Sequence, residues 1–302
     1  MKKFSLIWLV GLYLCVLLGA TILAPILYQC IQLVDHICSL KTIHYLATKP
    51  LSQYLDRIRM VSFFATVLWL SKSNHFWGNW NLRGAFKQYL NTFVAGCLLW
   101  CALFAVIMAV IPPVFHYPDG HLRFVGAFVG SFFLVCLEEI MFRGFLWDAL
   151  RTRYSVGLST LFLSLLFALM HFSMCTDSEH PSLLIQSFLC AKSSLVNIAH
   201  GFQLTYFLCL FILSGLLINL RTQCQTLWAS IGFHQGLVFV LLLSRQWYYF
   251  APQPPSWWGN GSLTHSWFVL CVLLVVYLWT LLANKRPTKA ASLSIEKHLK
   301  KR

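Results

Sequence analysis

The sequence predicts an all-α fold, a polytopic bundle of about eight membrane-crossing helices, and three observations predict it. Of the 302 residues, 58% are hydrophobic and only 11% charged, and the mean hydropathy is +0.68. Soluble domains carry about 25% charged residues. The apolar residues gather into several runs of about eighteen or more, the length needed to cross a hydrocarbon core. Backbone amides in lipid must be satisfied within their own segment, so such runs become helices. No polar segment is long enough to fold alone, and none is read as a soluble domain.

The net charge of +14, from 23 Lys and Arg against 9 Asp and Glu, raises nucleic acid as a partner. Its distribution excludes that reading. Lys2, Lys3 and the tail from Lys285 to Arg302 hold much of the excess, as expected for cytoplasmic ends that face anionic lipid headgroups. The aromatic content of 16%, with twelve tryptophans, suits membrane interfaces better than base stacking. The eleven cysteines lie mostly within apolar runs with no CxxC, so no disulfide framework is expected. Cys97 and Cys101 read as small packing residues.

In chain order, span one runs from Phe4 to Tyr28 and is too long for a signal-peptide core, so it reads as a retained helix. Residues 29 to 57 are mixed and suit a short interfacial helix. Span two, Arg59 to Leu70, has a short apolar part. Lys72 to Leu90 reads as a headgroup-level loop. Span three is Asn91 to Ile111, stopped by Pro112 and Pro113, and Tyr117-Pro118-Asp119-Gly120 is a turn signal. Span four, Phe124 to Leu150, opens with Gly126 and Gly130, a small-xxx-small pair that permits close helix contact.

Span five is Val156 to Met174, and residues 175 to 200 read as a loop with an amphipathic or re-entrant piece. Spans six and seven, Phe202 to Leu220 and Leu227 to Leu243, join through a turn at Arg221 to Thr226. The aromatic segment 247 to 265 lacks lysine and arginine, and span eight is Ser266 to Ala283. Three segments follow: 1–123 with the N-terminal spans, 124–243 with the core spans, and 244–302 with the aromatic loop, last span and basic tail. Residues 290 to 302 form either a basic surface helix or a solvated tail. Eight spans put both termini on the cytoplasmic side, in accord with most of the Lys and Arg loop bias. The cluster Lys41, Lys49, Arg57 and Arg59 goes against it. The compartment is either a bacterial inner membrane or an organellar one, and a short chain without extra domains favours the bacterial.

Span four carries the residues hardest to explain by topology. Leu134 to Trp147, LVCLEEIMFRGFLW, places Glu138, Glu139 and Arg143 inside an apolar run. An ionised carboxylate there costs several kcal/mol on lenient scales, roughly 2.5–3.5. Glu139 and Arg143 stand four apart and share a face, so they can pair. Glu138 is rotated by about 100° and is left for chemistry. Phe167 and His171 follow on span five, and His234 on span seven between Gly232 and Gly236.

A carboxylate and an imidazole can hold one water and take its proton, while a second imidazole donates to the oxyanion that forms. Glu138, His171 and His234 are also a three-ligand zinc set with an open position for water, assembled from three helices. A structural reading stands beside both: an internal Glu139–Arg143 ion pair, histidines that bond neighbouring helices, and Phe167 as core packing. A transporter using the carboxylate as a proton relay is a third.

At these residues the chain resembles the CPBP family of intramembrane proteases, which includes type II CAAX prenyl endopeptidases and bacterial Abi-type proteins. The family carries EExxxR, then FxxxH, then a His followed four residues on by Asn or Asp. EEIMFR at 138 to 143 matches the first, FALMH at 167 to 171 the second, and LWASIGFHQGLV at 227 to 238 resembles the third. The likeness covers residues 124 to 243. It implies an intramembrane endopeptidase acting on a membrane-anchored protein or peptide, with membrane lipid as its surroundings. It implies Glu138 as the base assisted by His171, and His234 as oxyanion donor or third metal ligand. Glu139 and Arg143 are implied as supports. It leaves a metal-dependent and a metal-free route both open. Val238 departs from the pattern, removing an expected oxyanion partner. That favours the alternative of a catalytically weak immunity or scaffold protein of the same fold.

Overall fold

Apolar runs wind into helices along most of the described residues. The structure is a computed structural model and describes residues 6–38, 40–71, 84–115, 122–172, 180–200, 202–249, 257–258 and 265–284. Five helices are long and apolar enough to cross a membrane, and three shorter apolar helices accompany them among the described residues. The protein is a polytopic helical bundle.

The helices are α1 (Leu6–Ile37), α2 (Lys41–Ala47), α3 (Leu51–Ser71), α4 (Ala85–Val110) and α5 (Leu122–Glu139). A π-helical stretch, Ile140–Leu146, continues α5 and leads into α6 (Trp147–Arg151). Then come α7 (Val156–Met170), α8 (Leu183–His200), α9 (Leu204–Cys224), α10 (Leu227–Trp247) and α11 (Trp267–Asn284). Two short strands, β1 (Val114–Phe115) and β2 (Tyr248–Tyr249), pair antiparallel and clip the end of α4 to the end of α10.

The chain divides into two units, residues 1–76 with 140–207, and residues 77–139 with 208–302. The chain passes from the second to the first between Glu139 and Ile140, inside the EExxxR motif and at the change from α to π geometry.

In the first unit α1 runs on to Ile37 instead of ending at Tyr28. Pro25 inside it is tolerated, as prolines in membrane helices are. Asp35 near its end meets the His44 ring of α2 at 3.2 Å. α3 begins at Leu51, well before Arg59, because Asp56 and Arg59 pair along the helix at 3.0 Å. The Arg59 guanidinium also donates to the Tyr13 hydroxyl at 3.3 Å. Arg59 is therefore a buried charge paired within its own helix.

Residues 183 to 200 are one continuous helix, longer than the amphipathic or re-entrant piece that the sequence suggested within a loop. Its small and polar face, Ser187, Cys190, Ala191 and Ser194, is buried, while Leu184, Ile185, Phe188, Leu189, Leu195 and Val196 point outward. Ser187 donates to the Thr21 carbonyl of α1 at 2.8 Å. This inverts the pattern of a water-soluble helix. It is the pattern expected where lipid, as apolar as leucine, covers the outside.

In the second unit α10 packs along the length of α4 and also against α5. Trp100, Phe104, Ile107, Leu216, Leu217, Leu237 and Leu273 form the main core. The Asn219 amide donates to the Thr280 hydroxyl at 2.9 Å and Gln223 donates to the Thr280 carbonyl at 2.7 Å, tying α9 to α11. Interhelical bonds of this kind average about 0.6 kcal/mol and reach about 2. Asn219→Ala is expected to lower stability by that amount, and denaturant unfolding in detergent checks it.

Close helix contact occurs at different glycines from those expected. A Cβ on Gly126 or Gly130 would meet nothing within 4 Å, and both face outward among the described residues. Gly96, Gly232 and Gly236 instead sit where α4 and α10 touch backbone to backbone. Ala85 to Leu90, read as loop, is the first turn and a half of α4, entered through Gly84 in the left-handed region at φ 77°. Likewise α9 continues through Arg221 to Cys224, and Gln225, at φ 54°, makes the turn into α10. The turn at Tyr117 to Gly120, most of the aromatic segment 247 to 265, Lys2, Lys3, Met174 and the tail from Lys285 lie outside the described residues.

Candidate active site

The predicted residues divide between the two units. Glu138, Glu139 and His234 come together in the second; Arg143, Phe167 and His171 come together in the first.

In the second unit, the two glutamates end α5 and His234 sits near the middle of α10. Glu139 is fully buried, the His234 side chain is 5% exposed and the Glu138 side chain 18% exposed. His234 Nδ1 and Glu139 Oε1 lie 2.8 Å apart, a hydrogen bond in which Nδ1 is the donor when the carboxylate is ionised, because an ionised carboxylate only accepts. The other ring nitrogen, Nε2, stands 3.8 Å from Glu138 Oε2. That gap exceeds a direct hydrogen bond, while two bonds of about 2.8 Å can meet across it at one water oxygen. Glu138 is thus the carboxylate that remains open to a reactant, and Glu139 is sealed against the ring.

Sequence spacing pointed Glu139 at Arg143 alone; the contact with His234, 95 residues away, leaves no local signal. The four-residue spacing also assumed α geometry. From Ile140 the backbone is π-helical, with hydrogen bonds reaching five residues back, and such stretches occur frequently at functional sites.

Around this trio the helix faces are held by polar and aromatic contacts. The Tyr89 hydroxyl donates to the Gln235 side-chain oxygen, and the Gln235 amide donates to the Phe128 carbonyl at 3.4 Å. Gln235 is fully buried and committed to α4 and α5, so it does not take the place of the missing residue at 238. Val238 packs against the apolar cluster of Val135, Leu227 and Ile231, together with Tyr89, Cys136 and Trp228.

In the first unit, Phe167 is the hub. Its ring lies beneath the fully buried Arg143 guanidinium at 4.2 Å and meets the Phe142 ring edge-on at 5.2 Å. His171 lies just beyond the last residue of α7, at φ −73° and ψ −17°, rather than within a span that continues to Met174. Its Nδ1 donates to the Phe167 carbonyl at 2.8 Å and its ring packs 4.5 Å from the Phe167 ring. FxxxH therefore has a physical meaning: the carbonyl four residues back takes the Nδ1 proton and turns Nε2 into the lone-pair nitrogen of the neutral ring. A reading of Phe167 as packing alone missed both its carbonyl and its cation–π contact.

Other histidines have local roles. His180 receives the Ser182 amide at 3.1 Å. Burial first, and Arg245 second, hold the pKa of His265 below its ordinary value, so it is neutral at pH 7. His75 lies outside the described residues. No group of three His, Cys, Asp or Glu is gathered to hold a metal ion among the described residues.

Fold and site together define an integral membrane protein with carboxylates and imidazoles buried in its helices. Residues 119–240 match the Rce1-like family model, described as type II CAAX prenyl endopeptidase Rce1-like. The family resemblance read from the three motifs thus holds for this segment, which is CAAX protease-like. No curated protein and no solved structure matches the chain.

Proposed function

We propose that the protein is an intramembrane endopeptidase that hydrolyses a peptide bond of a membrane-anchored protein or peptide. The observation that carries the reading is the 3.8 Å separation of Glu138 Oε2 and His234 Nε2, with Glu139 behind the ring. Glu138 takes a proton from a water held there, and the hydroxide adds to the carbonyl carbon. The tetrahedral oxyanion then collapses, breaking the C–N bond, and the proton on Glu138 passes to the leaving amine. The family resemblance gives His171 the part of assisting Glu138 and His234 that of stabilising the oxyanion. On the same reading both basic termini face the cytoplasm, and the compartment is a bacterial inner membrane.

Val238 favours a second reading, a weakly catalytic immunity or scaffold protein, because an apolar side chain stands where the family has a hydrogen-bonding one. Purified protein incubated with a panel of membrane-anchored peptides, prenylated and unprenylated, separates the two. Cleavage by wild type, lost in both His171→Ala and His234→Ala, is the expected result; binding of a peptide by all three proteins without cleavage overturns the peptidase. Metal content of the same preparation decides whether a zinc ion is part of the enzyme.

A further inference from the structure

We propose that Glu139 is the positioning residue for His234, fixing which ring nitrogen carries the proton and aiming the other at Glu138. The assignment rests on the peptidase reading for its catalytic consequence, but its structural half stands alone. Glu139 is wholly buried and its Oε1 lies 2.8 Å from His234 Nδ1. A carboxylate with no solvent contact cannot take up a reactant. What it does is accept the Nδ1 proton, which leaves Nε2 as the nitrogen facing Glu138 Oε2.

The alternative tautomer, with its proton on Nε2, would set the lone pair of Nδ1 against the Glu139 carboxylate in an apolar interior. That repulsion is not softened by water. The contact also explains why two acidic residues stand in succession in this helix. Consecutive α-helical residues are rotated by about 100°, so one carboxylate reaches Nδ1 while its neighbour addresses Nε2. Val238 strengthens the dependence, since it cannot hydrogen-bond the ring and Gln235 is engaged elsewhere.

Glu139→Gln is close to isosteric, but its amide can either accept the Nδ1 proton or donate to Nδ1 and reverse the tautomer. Where a carboxylate orients a catalytic imidazole in another enzyme class, such an amide replacement costs about 10⁴ in kcat. The test combines ring-nitrogen NMR of ¹⁵N-histidine protein in detergent with cleavage kinetics. The His234 signals are assigned by their loss in His234→Gln. The expected result is an Nδ1-protonated ring in wild type, and in Glu139→Gln a changed ring state with kcat lowered between about 10²- and 10⁴-fold at unchanged KM. Glu139→Asp should restore part of kcat.

A wild-type ring protonated at Nε2 alone overturns the assignment, and that observation needs no variant to fold. An unchanged ring state and kcat in Glu139→Gln overturns it as well. An Nδ1-protonated wild type that responds to Glu139→Gln but cleaves no peptide upholds the positioning and overturns the peptidase reading alone.

Discussion

Glu138→Gln is expected to abolish peptide cleavage while leaving the protein folded. Glutamine keeps the shape and volume of the side chain and removes only the base. General-base catalysis contributes about 10²–10⁴ in rate, and a loss of that size is the minimum expected. Stability should be unchanged or raised, because the substitution removes a charge from apolar surroundings. The Glu138 side chain is 18% exposed and its contact with His234 is the long one, at 3.8 Å, so little packing is lost.

Glu138→Asp sharpens the test. It keeps the carboxylate and withdraws it by one methylene, and a misplacement of about 1 Å at a reacting group can cost 10²-fold. Cleavage kinetics beside thermal unfolding in detergent measure both effects. Wild-type cleavage rates in Glu138→Gln would end the proteolytic reading.

The order of the three motifs, and the helices that carry them, were legible in the sequence because a charge in an apolar run announces itself. Glu138, His171 and His234 stand out for that reason alone. What stayed hidden were partners set by packing. Glu139 has a neighbour of opposite charge four residues on, and local spacing points only there; the fold also brings it His234.

The helix α8 was obscured by a different physics. Ser187, Lys192, Ser193 and Asn197 dilute its hydropathy, yet Ser187 is buried against α1 while the leucines and phenylalanine face out. A rule made for water, with apolar residues inside, reads such a helix backwards. The short β1–β2 clip carried no pattern at all, since two residues are too few to show alternation.

The glycines of α10 support the second large expected effect. Membrane helices gain little from excluding lipid between them and depend on close packing. A Cβ on Gly236 would clash with the Phe93 carbonyl oxygen and stand 2.8 Å from the Cys97 nitrogen. One on Gly232 would meet the Tyr89 carbonyl and the Thr92 hydroxyl, and one on Gly96 would meet the Phe233 carbonyl. Most of these obstacles are helix backbone, which cannot turn aside as a flexible side chain can. α4 and α10 must therefore separate.

Overpacking of a tight interior typically costs about 1–3 kcal/mol, and Gly236→Ala is expected at or above the upper end. His234 lies two residues from both Gly232 and Gly236, so the displacement that relieves the clash also moves the imidazole relative to Glu138. A shift of about 1 Å there lowers cleavage by about 10²-fold. Gly126→Ala and Gly130→Ala supply the contrast. Their Cβ positions are open, and alanine is the better helix former by about 1 kcal/mol, so both should hold or raise the melting temperature. If Gly236→Ala melts and cleaves like wild type, α4 and α10 are not joined through their backbones, and the support inferred for His234 fails with that contact.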